Sequence, residues 1–359
     1  MITMKAVVSS KSLAAVARLA GVSTMTVSRA LRNSPLVSAR TKKLVEAAQI
    51  KIGYIPDPRI TRLMAIVRAK KTRHTQAVLG LIRDGAAENE LDRPAYRYHS
   101  TQNIRDRAAR HGFKVDEFIL GRAGTNPKRL AHILRARGIE GIILSPQSSQ
   151  SLGVQFDYSP FAAVTLGYGM SNPSLHRAST NMTQGILDAA KELNRRGYQR
   201  IGLAITHWVN ARANYTYSGA LLHYQQDVPS LSRIPIHLFA ANNLARGLDG
   251  FCRWMKEYEP DVVISFDTYI PEWCRQHLGI RIPEQVGIVV HDWAQGMKGF
   301  AGIDHRRAHV AAAAVDIVAT QLLHNERGIP EVPRQVLIPP LFVPGLSIRP
   351  LAATSQRAQ

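Results

Sequence analysis

The sequence predicts an α/β protein: an all-α helix-turn-helix headpiece at the N-terminal end, followed by a larger core of two subdomains built on parallel sheets. Three observations lead there. Ser12 and Ser23 stand as helix caps on either side of Gly21. From Ala77 onward, apolar runs of strand length alternate with helical stretches. Positive charge is concentrated at one end: of 46 Lys and Arg against 26 Asp and Glu, residues 1–75 hold 15 basic residues and only Glu46 and Asp57 as acids. The spacing divides the 359 residues into a headpiece (1–56), a hinge helix with a basic linker (57–75), a core (76–350) and a polar tail (351–359).

In the headpiece, Ser12 caps a helix over 13–19 whose apolar face is Ala14, Val16, Ala17, Leu19 and Ala20. Gly21 tolerates the left-handed backbone of a sharp turn. Ser23 caps a second helix over 24–31, with Val27, Ala30 and Leu31 turned inward. Ser34-Pro35 breaks the chain, and Ser38 caps a third helix running to Ile52 whose apolar residues include Leu44, Val45 and Ala48. These close a small core with Val16, Leu19, Val22 and Val27. Such a helix pair lays its second helix in the DNA major groove. Ser23, Thr24, Met25, Thr26, Ser28, Arg29 and Asn33 are the candidate contacts. Arginine can bond both O6 and N7 of guanine, hydroxyls suit phosphates, and methionine suits a thymine methyl.

The stretch Ala20-Gly21-Val22-Ser23-Thr24-Met25-Thr26-Val27-Ser28-Arg29-Ala30-Leu31 resembles the DNA-binding headpiece of the lac-repressor (LacI/GalR) family nearly residue for residue, and 33–38 and Gly53-Tyr54-Ile55-Pro56 match it too. The resemblance implies a dimeric transcriptional regulator, most simply a repressor, on a near-palindromic double-stranded operator. It also implies a hinge helix at Asp57-Pro58, formed when two subunits meet over the minor groove, with Leu63 as the wedge and Arg59 and Arg62 on phosphates. The basic, Gly-free linker Met64 to His74 departs from the family pattern.

The core reads as strands at 77–82, 113–120, 141–144, 161–166, 200–205, 234–239, 261–266 and 286–290, with helices at 96–111, from 126 to Gly138, and over 182–196, 211–225 and 244–258. Repeated β-α units imply parallel sheets covered on both faces. The resemblance extends here to the family's periplasmic-binding-protein-like (type I) core, with crossovers near 170–180, 292–300 and 325–332, and with a small-molecule effector in the cleft. The family's sugar clamps are mostly replaced: Thr216 stands where an arginine is usual, with Arg212 a turn further back, Phe266 stands where an asparagine is, and Trp293 beside the retained Asp292. The candidate cleft residues are therefore His207, Trp208, Arg212, Thr216, Phe266, His291, Asp292 and Trp293.

Several classes are disfavoured. No nucleophile elbow, phosphate loop or dinucleotide fingerprint is present, so no enzyme and no cofactor are expected. Cys252 and Cys274 lack metal-ligand spacing and are expected as reduced, mostly buried thiols. No apolar run suits a membrane span or a secretory signal, so a cytoplasmic protein with no membrane partner is expected. The tail lacks heptads, and a homodimer is the expected state. The competing readings are an effector-independent DNA-binding or architectural regulator and a solute-binding protein. The headpiece opposes the second.

Overall fold

The computed structural model describes residues 12–56, 77–84, 101–120, 126–145, 155–170, 172–239, 244–266, 269–297 and 299–351. The expected hinge and linker, with Arg59, Arg62 and Leu63, lie outside them, as do residues 352–359 of the tail.

Helices α1 (Leu13–Ala20), α2 (Thr24–Ala30) and α3 (Ala39–Ile52) form the headpiece. The hydroxyls of Ser12, Ser23 and Ser38 accept from the backbone N–H groups of Ala15, Thr26 and Thr41 at 3.3, 3.1 and 3.2 Å. Each cap satisfies one donor that a helix start leaves unpaired. Gly21 closes α1 at φ 65°, in the left-handed region the turn requires. Val16, Ala17, Val27, Val45 and Ala48 make the core, with Leu13, Val22 and Leu31 packed at its edge. Leu19 and Leu44, expected inside, are 47% and 51% exposed, and Ala14 is exposed as well. The inward stripe of α1 runs through 13, 16, 17 and 20, which leaves position 19 about 200° round from Ala17. Leu44 sits about 100° round from Val45 for the same reason.

The core then runs β1 (Val78–Asp84), α4 (Thr101–Arg110), β2 (Lys114–Leu120), α5 (Pro127–Ala136), β3 (Gly141–Leu144), β4 (Ala162–Leu166), β5 (His176–Thr180), α6 (Met182–Arg195), β6 (Ile201–Thr206), α7 (His207–Arg212), α8 (Thr216–Gln226), β7 (His237–Phe239), α9 (Leu244–Tyr258), β8 (Val262–Ser265), α10 (Ile270–Leu278), β9 (Gly287–Val290), β10 (Ala301–Asp304), α11 (Arg307–His324), β11 (Gln335–Ile338) and β12 (Leu341–Val343). Two six-stranded sheets result, ordered β11-β5-β4-β3-β1-β2 and β12-β10-β9-β8-β6-β7. The first is parallel throughout. The second is parallel except where β12 runs against β10. Both central runs, such as Gly141–Leu144 and Ile201–Thr206, are buried along their whole length, as strands covered on both faces are.

Two expectations are corrected. Residues 211–225 are two helices rather than one, because Asn214 and Tyr215 take left-handed conformations, φ 55° and 59°, which end α7 and turn the chain into α8. The crossovers lie between Thr180 and Met182, at the end of the expected stretch, and between Asp304 and Arg307 and between Ile338 and Leu341, both displaced from their expected places. The second moves because β10 follows β9 in the second sheet, whereas α11 returns to the first. Val310, Ala311, Ala314, Val315 and Val318 of α11 pack there with Leu79, Ile143, Val164 and Leu166. Gly141 admits this helix: a Cβ there would lie 2.7 Å from both Leu79 Cδ2 and Val318 Cγ1.

Candidate functional site

The first candidate surface is the outer face of α2. Val27 is fully buried and anchors the helix on its inner side. Ser23, Thr24, Met25 and Arg29 are exposed, Met25 at 59%, whereas Thr26 and Ser28 are half-buried. The Ser23 hydroxyl caps the helix and sits 2.9 Å from the Thr26 hydroxyl, so this pair fixes the first turn while Thr24, Met25 and Arg29 project from it. Asn33 does something else. Its backbone is left-handed, φ 55°, and Lys42 Nζ donates to its Oδ1 at 2.7 Å and to its carbonyl at 3.3 Å. It ties the turn after α2 to α3. An open groove between α1 and α2 is lined by Ala14, Ala17, Arg18, Gly21, Val22, Ser23 and Thr24. Around the described headpiece stand Arg18, Arg29, Arg32, Arg40, Lys42, Lys43 and Lys51, opposed by the single acid Glu46. A helix face carrying hydroxyls, a thioether and a guanidinium on a basic domain suits a duplex groove.

The second candidate surface is the carboxyl edge of the second sheet, where ligands of open α/β sheets bind. β6 delivers His207 and Trp208, β8 delivers Phe266, and β9 delivers His291, Asp292 and Trp293. They fall into a rim and a floor. On the rim, His207 is exposed and Trp208 is 39% exposed. The Arg212 guanidinium lies over the Trp208 ring, 4.7 Å from its centre. The Thr216 hydroxyl donates to the Ala213 carbonyl at 2.8 Å. On the floor, His291 and Asp292 are each 1% exposed and Phe266 is 7% exposed. The His291 ring meets Tyr217 edge-on at 4.4 Å and stacks on Phe266 at 5.5 Å. Neither of its ring nitrogens has a hydrogen-bond partner. Trp293 leaves the set. Its Nε1 donates to the Phe300 carbonyl at 3.0 Å, and its side chain fills the space that Gly302 leaves open. It braces the loop between β9 and β10.

Three floor residues are invisible to motif reading. Arg307 Nη2 donates to Asp292 Oδ1. His305 Nε2 lies 3.9 Å from the same oxygen and 2.9 Å from the His291 carbonyl. The Thr180 hydroxyl donates to the His305 carbonyl at 2.9 Å, so the end of β5 is tied to the crossover as well. Arg307 is 15 residues from Asp292 in sequence, and only the crossover brings them together. The local signal is the Arg306-Arg307 pair at the head of an alanine-rich helix. Burial pushes the Asp292 carboxyl up to about 7 against the opposing pull of Arg307. Burial, with Arg307 adding repulsion, pushes His305 down to about 3, and burial with neighbouring His305 holds His291 well below the usual imidazole range. The floor therefore holds neutral imidazoles. Among the described residues, no His, Cys, Asp and Glu cluster suits a metal ion, and no helix is long and apolar enough to cross a membrane. Cys252 is half-buried and Cys274 buried, both as free thiols.

Residues 12–57 match the model for bacterial regulatory proteins of the lacI family. The HTH-type transcriptional repressor PurR of Haemophilus influenzae (strain PittEE) is 21% identical over 341 residues, covering 91% of this chain and 96% of that protein. The sucrose operon repressor of Streptococcus mutans is 27% identical over 188 residues, about half of each chain (51% and 52%). Among solved structures, the lac repressor dimer bound to operator and the anti-inducer ONPF superposes with a TM-score of 0.56 at 20% identity, over 94% of this chain and 98% of that one. The transcriptional regulator CelR in complex with cellobiose does so at 0.54 and 17%, over 94% and 99%. These two likenesses show the same fold, a helix-turn-helix headpiece on a two-subdomain α/β core. With the lacI model on the headpiece and repressors aligned along nine-tenths of the chain, residues 12–57 are a helix-turn-helix of the lacI type, and the chain as a whole is similar to DNA-binding transcriptional repressors that carry it.

Proposed function

We propose that the chain works as a homodimeric repressor in the cytoplasm. Two headpieces take the half-sites of a near-palindromic operator, and a small effector in the core cleft alters operator affinity. The observation that carries the DNA reading is the face of α2: Thr24, Met25 and Arg29 project from a helix whose caps and apolar side are fully committed. Dimer symmetry would mirror operator symmetry. The hinge at 57–75, with Arg59 and Arg62 on phosphates and Leu63 as a minor-groove wedge, belongs to the same proposal. An effector would act by binding one relative angle of the subdomains better than the other.

The test is a binding isotherm on an operator selected in vitro by the chain itself. Binding weakens steeply with salt as counterions are released. Arg29→Ala loses discrimination at one base pair of each half-site, by about 1–3 kcal/mol. An Arg29→Ala protein as tight and selective as the parent would falsify the base-reading assignment. Leu63→Ala leaves headpiece folding unchanged and reduces the bend of the bound duplex; an unchanged bend removes the wedge.

One observation favours a second reading, an effector-independent regulator. The carboxylate best placed to receive a ligand, Asp292, is already held by Arg307. Calorimetric titration of small metabolites into the full chain separates the two.

A further inference from the structure

We infer that the cleft takes a small organic anion, a carboxylate or a phosphate ester, whose charged group draws the Arg307 guanidinium away from Asp292. This rests on the reading of the cleft as an effector site and names the chemistry of its ligand.

The floor offers a neutral polyol only one unengaged carboxylate oxygen, Asp292 Oδ2. Such a ligand is gripped by a carboxylate free to accept from its hydroxyls. Asp292 is 1% exposed, and its Oδ1 is engaged by Arg307. The fork that holds it is the feature a carboxylate or phosphate matches in geometry and charge.

The start of α11 points the same way. This helix runs 18 residues from Arg307, so its N-terminus carries the positive end of the helix dipole. Helices usually place an acid or a capping hydroxyl there. Here the cap position is Arg306, in a left-handed conformation, with no side-chain cap and no acid in the first turn. Two guanidiniums at that end are opposed to the dipole. An anion seated between them would reverse that opposition. The acids nearby are accounted for: Asp292 holds Arg307, and Asp304 Oδ1 accepts from the Arg306 backbone N–H at 2.8 Å.

An independent observation comes from the same floor. Both ring nitrogens of His291 and Oδ2 of Asp292 are buried without a hydrogen-bond partner. His291 lies 4.8 Å, ring to ring, from His305, the residue that leads into α11. Buried polar groups left unpaired are costly, and sites for ligands are where they persist. A ligand whose acidic group meets Arg307 and whose hydroxyls meet a His291 nitrogen and Asp292 Oδ2 pairs these atoms. On the rim, the Trp208 face under Arg212 adds a stacking surface and another cation.

The arrangement also couples binding to shape. Arg307 belongs to a helix packed on the first sheet, and Asp292 follows a strand of the second. Moving Arg307 from Asp292 to a ligand breaks an ion pair that spans the subdomains.

The experiment is isothermal calorimetry on the full chain with matched anionic and neutral probes: glucose 6-phosphate against glucose, gluconate against glucose, benzoate against benzamide, and adenosine monophosphate against adenosine. The expected result is that an anion binds at least tenfold tighter than its neutral mate. Arg307→Gln weakens that anion at least tenfold. Asp292→Asn tightens it, because the competing carboxylate is gone. Circular dichroism checks that each variant is folded; should Arg307→Gln not fold, Arg307→Lys replaces it and also weakens the anion. A neutral mate that binds as well as its anion overturns the inference, and so does indifference of the anion to the Arg307 variants. Weakening by Asp292→Asn overturns it too, since Asp292 would then be a direct ligand group. Silence of every probe, charged and neutral, counts against the effector reading itself and takes the inference with it.

Discussion

The side-chain amide of Gln321, in α11, brackets the backbone of Ala163 in β4: its Oε1 accepts from the Ala163 N–H at 3.0 Å, and its Nε2 donates to the Ala163 carbonyl at 3.2 Å. Alternate residues of a parallel strand bond to opposite neighbours. Ala162 bonds towards β3, through Glu140, so Ala163 faces the other side. There β5 pairs only from Val164 onward. Gln321 stands in for the missing rung.

That substitution of a side chain for a strand sets the first prediction. Gln321→Leu keeps the volume and strips both partners from a buried N–H and C=O. Urea unfolding of the core should show a loss of about 1–3 kcal/mol for each group left unpaired. An unchanged midpoint would mean that the β4 edge finds water or another partner.

Acid should destabilise the core before it reaches the carboxylate range. His305, pushed down to about 3, and His237, pushed down to about 4, are neutral when folded and titrate near 6.5 when unfolded; His291 is shifted the same way. Their contribution is complete above pH 6.5 and is lost as pH falls below it, because the unfolded chain takes up protons that the folded chain refuses. Asp292, pushed up to about 7, has the opposite sign: between about 4 and 7 the folded chain holds a proton that the unfolded chain does not. Three imidazoles outweigh one carboxyl. Stability should therefore fall from pH 7 to 5, by about 1.4 kcal/mol per pH unit for each net proton. Asp292→Asn removes the opposing group and should steepen the fall. A flat thermal midpoint across this range contradicts the neutral burial of the histidines.

Gly345 packs against the backbone of the loop into β10. A Cβ there would strike Ala301 N and Phe300 C, and would lie 2.6 Å from the Phe300 carbonyl oxygen. Backbone has little room to give, so Gly345→Ala should cost at least the 1–3 kcal/mol, roughly, of an overpacked core. Circular dichroism melts would show it, and a midpoint equal to the parent's would count against the close approach.

The headpiece should respond to its caps on its own. Ser23→Ala removes the acceptor for Thr26 N–H and the contact with the Thr26 hydroxyl. A loss of about 0.5–2 kcal/mol is expected, confined to the five-residue headpiece core. Hydrogen exchange resolved by segment should quicken in 13–54 and stay as it was in the sheets. Equal change in both would mean that the two units unfold together.

Much of this was legible in the chain, for physical reasons. Caps are local chemistry, so Ser12, Ser23 and Ser38 announce their helices within three residues. Central parallel strands are continuous apolar runs, so Gly141–Leu144 and Ile201–Thr206 stand out. The edge strand β11 does not: it is exposed along most of its length and has no alternation to read. The break at Asn214-Tyr215 was hidden because tyrosine rarely takes a left-handed backbone. The cleft was half legible. The strand ends named His291 and Asp292, but their partners Arg307 and His305 depend on where the chain changes sheets, which no local pattern encodes.

That change of sheets bears on how the protein is made. The first subdomain is assembled from two separated stretches, the second of which begins at Arg307 and ends with β11 at Ile338. A ribosome emits the headpiece and β1 to β10 before α11 exists to cover the first sheet. Until then the apolar face built by Leu79, Ile143 and Val164 waits without its helix. The headpiece core is closed within its own three helices, whereas the two halves of the α/β core are completed together and late. A chain interrupted before residue 307 would release a DNA-reading unit attached to an unfinished, sticky body. Chaperone dependence of the nascent core, and tolerance of the headpiece as a separate fragment, follow from that one return of the polypeptide.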